Sequence, residues 1–218
     1  MSAPRKTFRD AACVVLVRGQ GADLEVFWVR RSDAVPFQPG FMAFPGGKVD
    51  AADLEFDVPG VPDDFERAAR VCAVREALEE TGVLVAHEGE VAAASLAAAR
   101  ESLLAGRATL ANVVREHGWK LAPESLTFAG RWQTPVFAPV RFDTLFFLSR
   151  LPFGQDASII PGELASVTGL SRPEAGRGNR ALVAEGYATM LQRGVYQLSA
   201  VSSQLLEGSA RQLLTADS

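Results

Sequence analysis

Residues 75–82 read Arg-Glu-Ala-Leu-Glu-Glu-Thr-Gly. At about 100° per residue on a helix, Glu76, Glu79 and Glu80 stand at i, i+3 and i+4, so three carboxylates share one face within little more than a turn. Left unpaired, they repel one another. Two readings are open. One is a solvated acidic face, the ordinary place for exposed charge. The other is a site for a hard divalent cation such as magnesium, which takes carboxylate oxygens as ligands. What surrounds the triplet has to decide.

The element that must carry it is spelled out in PDDFERAARVCAVREALEETG, residues 62–82. Pro62 and the acids after it suit a helix start, the body is rich in Ala, Glu and Arg, and Gly82 is a stop signal. Val71, Val74 and Leu78 fall at i, i+3 and i+7, an apolar stripe roughly opposite the glutamates. That arrangement leaves the acidic face free to look into a cleft. Upstream, DAACVVLVRG and DLEVFWVRR read as two strands of an antiparallel hairpin. SDAVPFQPGFMAFPGGKVD, broken by Pro and Gly, is a loop able to bring backbone groups close to a ligand. GVLVA, residues 82–86, is expected to resume the sheet.

Residues 91–118 read as two helices, an inserted cap whose alanine bias is that of a strong helix former. LTFAGRWQTP and RFDTLFFLSRL resume strand character, and from Pro173 to about residue 215 the pattern is mostly helical. Strands and helices mix without strict alternation and no internal repeat is present. The expected fold is an α/β sandwich around a mixed sheet, organised as a single domain over residues 1–218.

Composition narrows the function. The chain has 218 residues, 48% of them hydrophobic, enough for a sizeable core. A net charge of −4 gives no broad electrostatic reason to hold nucleic acid. No stretch reaches the length of a membrane span, and MSAPRKTFRD has no apolar signal core, so a cytoplasmic setting is expected. Cys13 lies in a strand-like run and Cys72 in the glutamate helix, which suits buried free thiols in a reducing compartment. His87 and His117 have no ligand spacing, and there is no serine or cysteine nucleophile arrangement.

PGG followed by REALEETGV resembles the signature of the Nudix hydrolases, Gly-x5-Glu-x7-Arg-Glu-apolar-x-Glu-Glu-x-Gly-apolar. Arg75, Glu76, Ala77, Glu79, Glu80, Gly82 and Val83 match its second half without a gap. The first half departs, because 28 residues intervene between Gly47 and Glu76 against about 14 in the pattern. The box region is thus 46–83, with an insertion at 48–62. Counting back from Arg75, the early glutamate position falls on Arg67, with Glu66 beside it. RSDAVPFQPGFMAFPGG is similar to the upstream segment of coenzyme A diphosphatases within that family, with Arg31, Ser32, Gly40, Phe44, Pro45, Gly46 and Gly47 in place. Pro36 stands where that segment carries an arginine. FPGGKVDAAD and WQTPVFAPVRFDTLFFL look like the branch in which an interrupted box is usual.

The resemblance implies a MutT-like α/β/α fold and a magnesium- or manganese-dependent diphosphatase. Its metal ligands would be Glu76, Glu79, Glu80 and the carbonyl of Gly47, with Arg75 orienting the glutamates. A carboxylate would take the proton of the attacking water, either a helix glutamate or Glu163 in IIPGEL. Implied substrate contacts are Arg31, Ser32, Gly46, Gly47, Trp132 and Arg141. Trp132 either stacks on a base or belongs to the core, and Arg141 either meets phosphate or pairs with an acid such as Asp143. The implied substrate is a small nucleotide diphosphate, coenzyme A or an acyl-CoA cut to 3′,5′-ADP and the phosphopantetheine part. ADP-ribose, NADH and dinucleotides are the rival substrates. A Nudix-fold binding module that has lost catalysis is the rival class. Neither nucleic acid nor membrane is an expected partner, and self-association as a homodimer is left open.

Overall fold

The computed structural model describes residues 8–19, 24–31, 42–134, 140–158, 164–169, 188–192 and 195–198. The chain divides into two compact units, Met1–Val167 and Thr168–Ser218.

The first unit is built on β1 (Arg9–Arg18), whose alternation puts Ala12, Val14 and Leu16 on a buried face. One edge of β1 runs parallel to β8 (Phe142–Arg150), from Arg9 opposite Phe142 to Val17 opposite Arg150. Its other edge is shared by two antiparallel partners. β2 (Glu25–Arg31) takes the far half, Val17 opposite Val26. β4 (Gly46–Lys48) takes the near half, Ala12 opposite Gly47 and Cys13 opposite Gly46. β3 (Met42–Ala43) extends the sheet beyond β2, and β7 (Thr127–Gln133) extends it beyond β8. β9 (Leu164–Gly169) pairs with β2, completing seven strands. The hairpin, the late strands and the mixed sheet are therefore as the sequence indicates.

Helix α1 (Asp64–Thr81) lies on the buried face of β1 and β8. The Asp63 side chain accepts from Glu66 N, and Gly82, at φ 73°, ends the helix in the left-handed region open to glycine. Val71, Val74 and Leu78 are fully buried, sharing a core with Val14, Leu16, Leu145 and Phe147. Each such side chain contributes about 1.5–3 kcal/mol by leaving water. α2 (Ala93–Leu104) and α3 (Leu110–His117) join the same core through Leu96, Ala99, Leu103, Leu110 and Val113. Thr109 caps α3, and Gly118 ends it. No helix among the described residues is long and apolar enough to cross a membrane.

Two expectations are corrected. Residues 83–86 do not continue the sheet. Val83, Leu84 and Val85 are fully buried, yet their neighbour across the gap is a side chain: Leu84 N donates to Gln155 Oε1 (2.8 Å), and Gln155 Nε2 donates to Leu84 O (3.2 Å). One amide thus replaces the partner strand that a buried backbone requires. Pairing begins only at β5 (His87–Glu88) with β6 (Lys120–Leu121), in a separate ladder. In the second unit, β10 (Ala188–Gln192) and β11 (Val195–Leu198) form an antiparallel pair where helix was expected. Two short runs with Thr, Val and Tyr flank Arg193-Gly194, a hairpin signal that outweighs the helical pattern. The rest of the 173–215 stretch lies outside the described residues.

Candidate active site

Arg75 organises the site. Its Nη1 donates to Glu76 Oε1 (2.9 Å) and to Glu79 Oε2 (3.0 Å), so two of the three glutamates are held by one nitrogen. Its other side meets Asp53 in a fork, Nε to Oδ1 at 2.9 Å and Nη2 to Oδ2 at 3.0 Å, and Nη2 also donates to the carbonyl of Lys48 at 2.9 Å. Asp50 stands 3.8 Å away. Four carboxylates therefore surround one guanidinium.

Strand β4 closes over this row from the side of β1. Gly46 N donates to Glu80 Oε2 (2.9 Å), and Cys72 Sγ reaches the carbonyl of Lys48 (3.3 Å). Both glycines are dictated by contact. A Cβ on Gly46 would stand 2.3 Å from the carbonyl oxygen of Ala12, and one on Gly47 would stand 2.2 Å from Glu76 Oε1. The Gly-Gly pair is thus the slot into which the glutamate face fits.

Burial sets the electrostatics. It pushes Glu76 up to about 7, against the pull of Arg75 and with the charge of Glu79 adding to the rise. Glu79 is raised for the same first reason. Burial works against the charge of Arg75 as well, but the Asp53 hydrogen bonds and the Glu76 charge more than offset it and hold the guanidinium protonated.

Asp53 is the residue the sequence reading missed. It is 1% exposed, sits in a 3-10 turn (Ala51–Glu55), and also accepts from Asp50 N at 2.8 Å. It follows Gly47 by the Gly-x5-acid spacing, so counting forward from the glycine finds it where counting back from Arg75 does not. The extra residues lie after Asp53. Glu66 and Arg67 are engaged elsewhere: Glu66 accepts from Arg70 Nε and Nη2 (2.9 and 2.7 Å), and Arg67 pairs with Asp64.

Of the remaining candidates, Trp132 and Arg141 are not gathered at Arg75. Trp132 lies on β7, 36% exposed, and is not part of the core. Arg141 does not pair with Asp143. Its Nε donates to Thr134 O (3.1 Å) and its guanidinium lies 3.9 Å over the Phe8 ring, while Asp143 takes Arg131 and Gln133. Arg31 closes β2. Ser32, Pro36, Gly40 and Glu163 lie outside the described residues. A cleft of ≈ 570 Å³ opens between the start of β1 and the 3-10 turn, bordered by Arg9, Lys48, Asp50 and Leu54.

The NUDIX domain family model matches residues 7–101. A NUDIX hydrolase from Alicyclobacillus acidocaldarius, known from its crystal structure, is 30% identical, with a TM-score of 0.61 over 92% of this chain and 91% of that one. The chain belongs to the Nudix hydrolase family. It is also 30% identical over 145 residues to nudix hydrolase 7 of Caenorhabditis elegans, a match covering 65% of this chain and 44% of that relative. The chain thus spans less than half of that relative's length.

Divalent ions suit hard oxygen donors, and the Nudix helix of this chain offers them. Glu76 stands against Gly47 and Glu80 accepts from Gly46 N, and burial disfavours the charge of Glu76 and Glu79, which a cation would relieve. Among the described residues no three acidic, His or Cys side chains converge as a ready-made ion site. The reason is visible in the bonds: Arg75 draws Glu76 and Glu79 toward itself, while Gly46 N holds Glu80. The donor set fits the ion, and side-chain rotation at the glutamates is what binding asks for.

Proposed function

We propose that this Nudix chain hydrolyses a nucleoside-diphosphate-linked metabolite, with coenzyme A or an acyl-CoA as substrate, giving 3′,5′-ADP and the (acyl-)4′-phosphopantetheine part. The observation that carries the hydrolytic reading is the row of Glu76, Glu79 and Glu80 held between Arg75 and the Gly46-Gly47 slot. The upstream segment from Arg31 to Gly47 supports the coenzyme A assignment.

Mg²⁺ or Mn²⁺ would be held by Glu76, Glu79, Glu80 and the carbonyl of Gly47, and when bound it neutralises charge developing on the diphosphate and acidifies water. The chain's own residues do the rest. Arg75 fixes two glutamates in place and Asp53 fixes Arg75. A carboxylate, either a helix glutamate or Glu163, accepts the proton of the water that attacks one phosphorus, and the other phosphate departs with the bond electrons. Arg9 and Lys48, at the cleft beside Asp50, supply positive charge for the anionic parts of the substrate, joined by Arg31, Ser32 and Arg141, with Trp132 as a stacking face for a base. Cys13 and Cys72 are not joined in a disulfide, which supports a cytoplasmic setting.

Chromatographic resolution of products tests this, using coenzyme A, acetyl-CoA, ADP-ribose, NADH and diadenosine polyphosphates with Mg²⁺ or Mn²⁺, beside the Glu79→Gln, Glu80→Gln variant. Release of 3′,5′-ADP from coenzyme A, lost in the variant, is the expected result. Cleavage of a different compound keeps the hydrolase and removes the coenzyme A assignment. Metal binding without cleavage of any of them favours a binding module.

A further inference from the structure

The last four carbonyls of an α-helix have no partner within the helix. In α1 each has one from outside the regular ladder or from its cap. Leu78 O accepts from Gly82 N (3.0 Å) and Thr81 O from Ser158 N (2.8 Å). The two between them, Glu79 O and Glu80 O, accept from a single side chain on α2: Arg100 Nε at 2.9 Å and Arg100 Nη2 at 2.7 Å. Its remaining bonds go to Ser158, Nη1 to Oγ at 3.0 Å and Nη2 to O at 2.9 Å. All these acceptors are neutral oxygens. Burial therefore works against the Arg100 charge and lowers its pKa, and the negative end of the helix dipole is what compensates. Gly82 leaves the necessary room, since a Cβ there would approach Arg100 Nη1 to 3.1 Å.

The two carbonyls in question belong to the two glutamates at the open end of the acidic face. Glu76, a turn earlier, has its backbone inside the regular helix. Glu79 and Glu80 are also helical, but their carbonyls lie beyond the ladder, so the direction of their side chains depends on the anchor under the last turn. We propose that Arg100 is a positioning residue for the ion site: by fixing the backbone of Glu79 and Glu80 it fixes where their carboxylates stand relative to Glu76 and Gly47. This rests on the reading that those glutamates hold a divalent cation. It also gives the helical cap at 91–118 a job at the site, because α2 delivers the anchor. Displacements of about 1 Å in such a constellation cost on the order of a hundredfold in rate.

The test compares Arg100→Gln and Arg100→Lys with Leu103→Ala, a core truncation on the same helix that touches none of the α1 carbonyls. Mn²⁺ binding is measured by the spin resonance of the free ion, thermal stability by Tm, and turnover as kcat and KM separately. Arg100→Gln is expected to weaken Mn²⁺ binding by about tenfold or more and to lower kcat with KM unchanged. Arg100→Lys recovers part of both, because an ammonium still reaches one or two of the carbonyls. Leu103→Ala lowers Tm and keeps the wild-type Mn²⁺ affinity. If Arg100→Gln binds Mn²⁺ as wild type does while losing Tm, Arg100 only supports the fold and the inference is overturned. A wild type that binds Mn²⁺ but cleaves no substrate removes the hydrolase reading, and the affinity comparison still decides the role of Arg100. A wild type that binds no Mn²⁺ overturns both.

Discussion

Two arginine–aspartate forks in this chain have the same atoms and opposite surroundings. Arg75 meets Asp53 through Nε and Nη2 at 2.9 and 3.0 Å, with side chains 9% and 1% exposed. Arg131 meets Asp143 through the same nitrogens at 2.7 and 2.6 Å, with Arg131 52% exposed. The outer fork is the shorter one. It is nevertheless the one with less at stake, because Arg131 is half in water and Asp143, though only 8% exposed, keeps a second donor in Gln133 Nε2 at 2.7 Å. Distance measures geometry; what remains unpaired after a deletion measures consequence. The inner fork also carries cargo. Arg75 holds Glu76, Glu79 and the Lys48 carbonyl, whereas Arg131 adds only a cation–π contact with Phe65 at 5.7 Å.

Asp53→Ala tests that contrast at its strongest point. It leaves a buried guanidinium that Glu76 and Glu79 balance from one side only, and the expected loss is about 3–5 kcal/mol in urea unfolding. A loss as small as that of an exposed pair would end the distinction between the forks. Mn²⁺ affinity should fall in parallel, since Arg75 would be free to turn and take the glutamates with it.

Gly47→Ala separates positioning from stability. The new methyl group would stand 2.2 Å from Glu76 Oε1, and that oxygen is the flexible end of a side chain, so the fold adapts by moving it. Moving it breaks its bond to Arg75. Stability should fall by about 1–3 kcal/mol, while Mn²⁺ affinity falls by about tenfold or more. Calorimetric titration beside urea unfolding reads both. Equal modest effects on the two would mean that Glu76 has no fixed place to lose.

The contrast also explains what could be read from the sequence. Local signals were sufficient for α1: the Val71, Val74, Leu78 stripe, the acidic start and Gly82 agree on one helix, and Glu76, Glu79 and Glu80 take their common face from its period. The β1–β2 hairpin and β7–β8 followed from alternation. Asp53 was missed although its spacing from Gly47 was available, because the insertion could be placed on either side of it and only the Arg75 fork fixes which. Gln155 substituting for a strand at Leu84, and Arg100 beneath Glu79, lie 71 and 21 residues from their partners. No periodicity or cap signal encodes such side-chain-to-backbone bonds. At 188–198 the error was of another kind, a helical pattern read through a Gly-marked turn between two short strand-forming runs.

Arg131→Ala should cost less than Asp53→Ala, about 1–2 kcal/mol near neutral pH, because Asp143 keeps Gln133 as a partner. A urea midpoint shifted by more would show that the outer fork is worth as much as the inner one, and the lesson of burial would fail.

The smallest effect is the dependence of that cost on pH, and it has a definite sign. Asp10 and Asp143 stand directly opposite each other on the parallel strands β1 and β8. The Arg131 hydrogen bond holds Asp143 below the usual carboxylate range, while burial and the Asp143 charge raise Asp10. A lowered carboxylate contributes stability that is present above its unfolded pKa of 3.8 and is lost as pH falls through the lower folded value. A raised one contributes stability that is present below 3.8 and is lost as pH rises through the higher folded value. Removing Arg131 abolishes the first contribution and leaves the two acids to repel, which pushes Asp10 further up. The difference between wild type and Arg131→Ala should therefore be greatest near pH 7 and shrink as both acids are protonated toward about pH 3. Urea midpoints at the two pH values measure it. A difference that stays constant would mean that Arg131 acts through packing on Phe65 rather than through its charge.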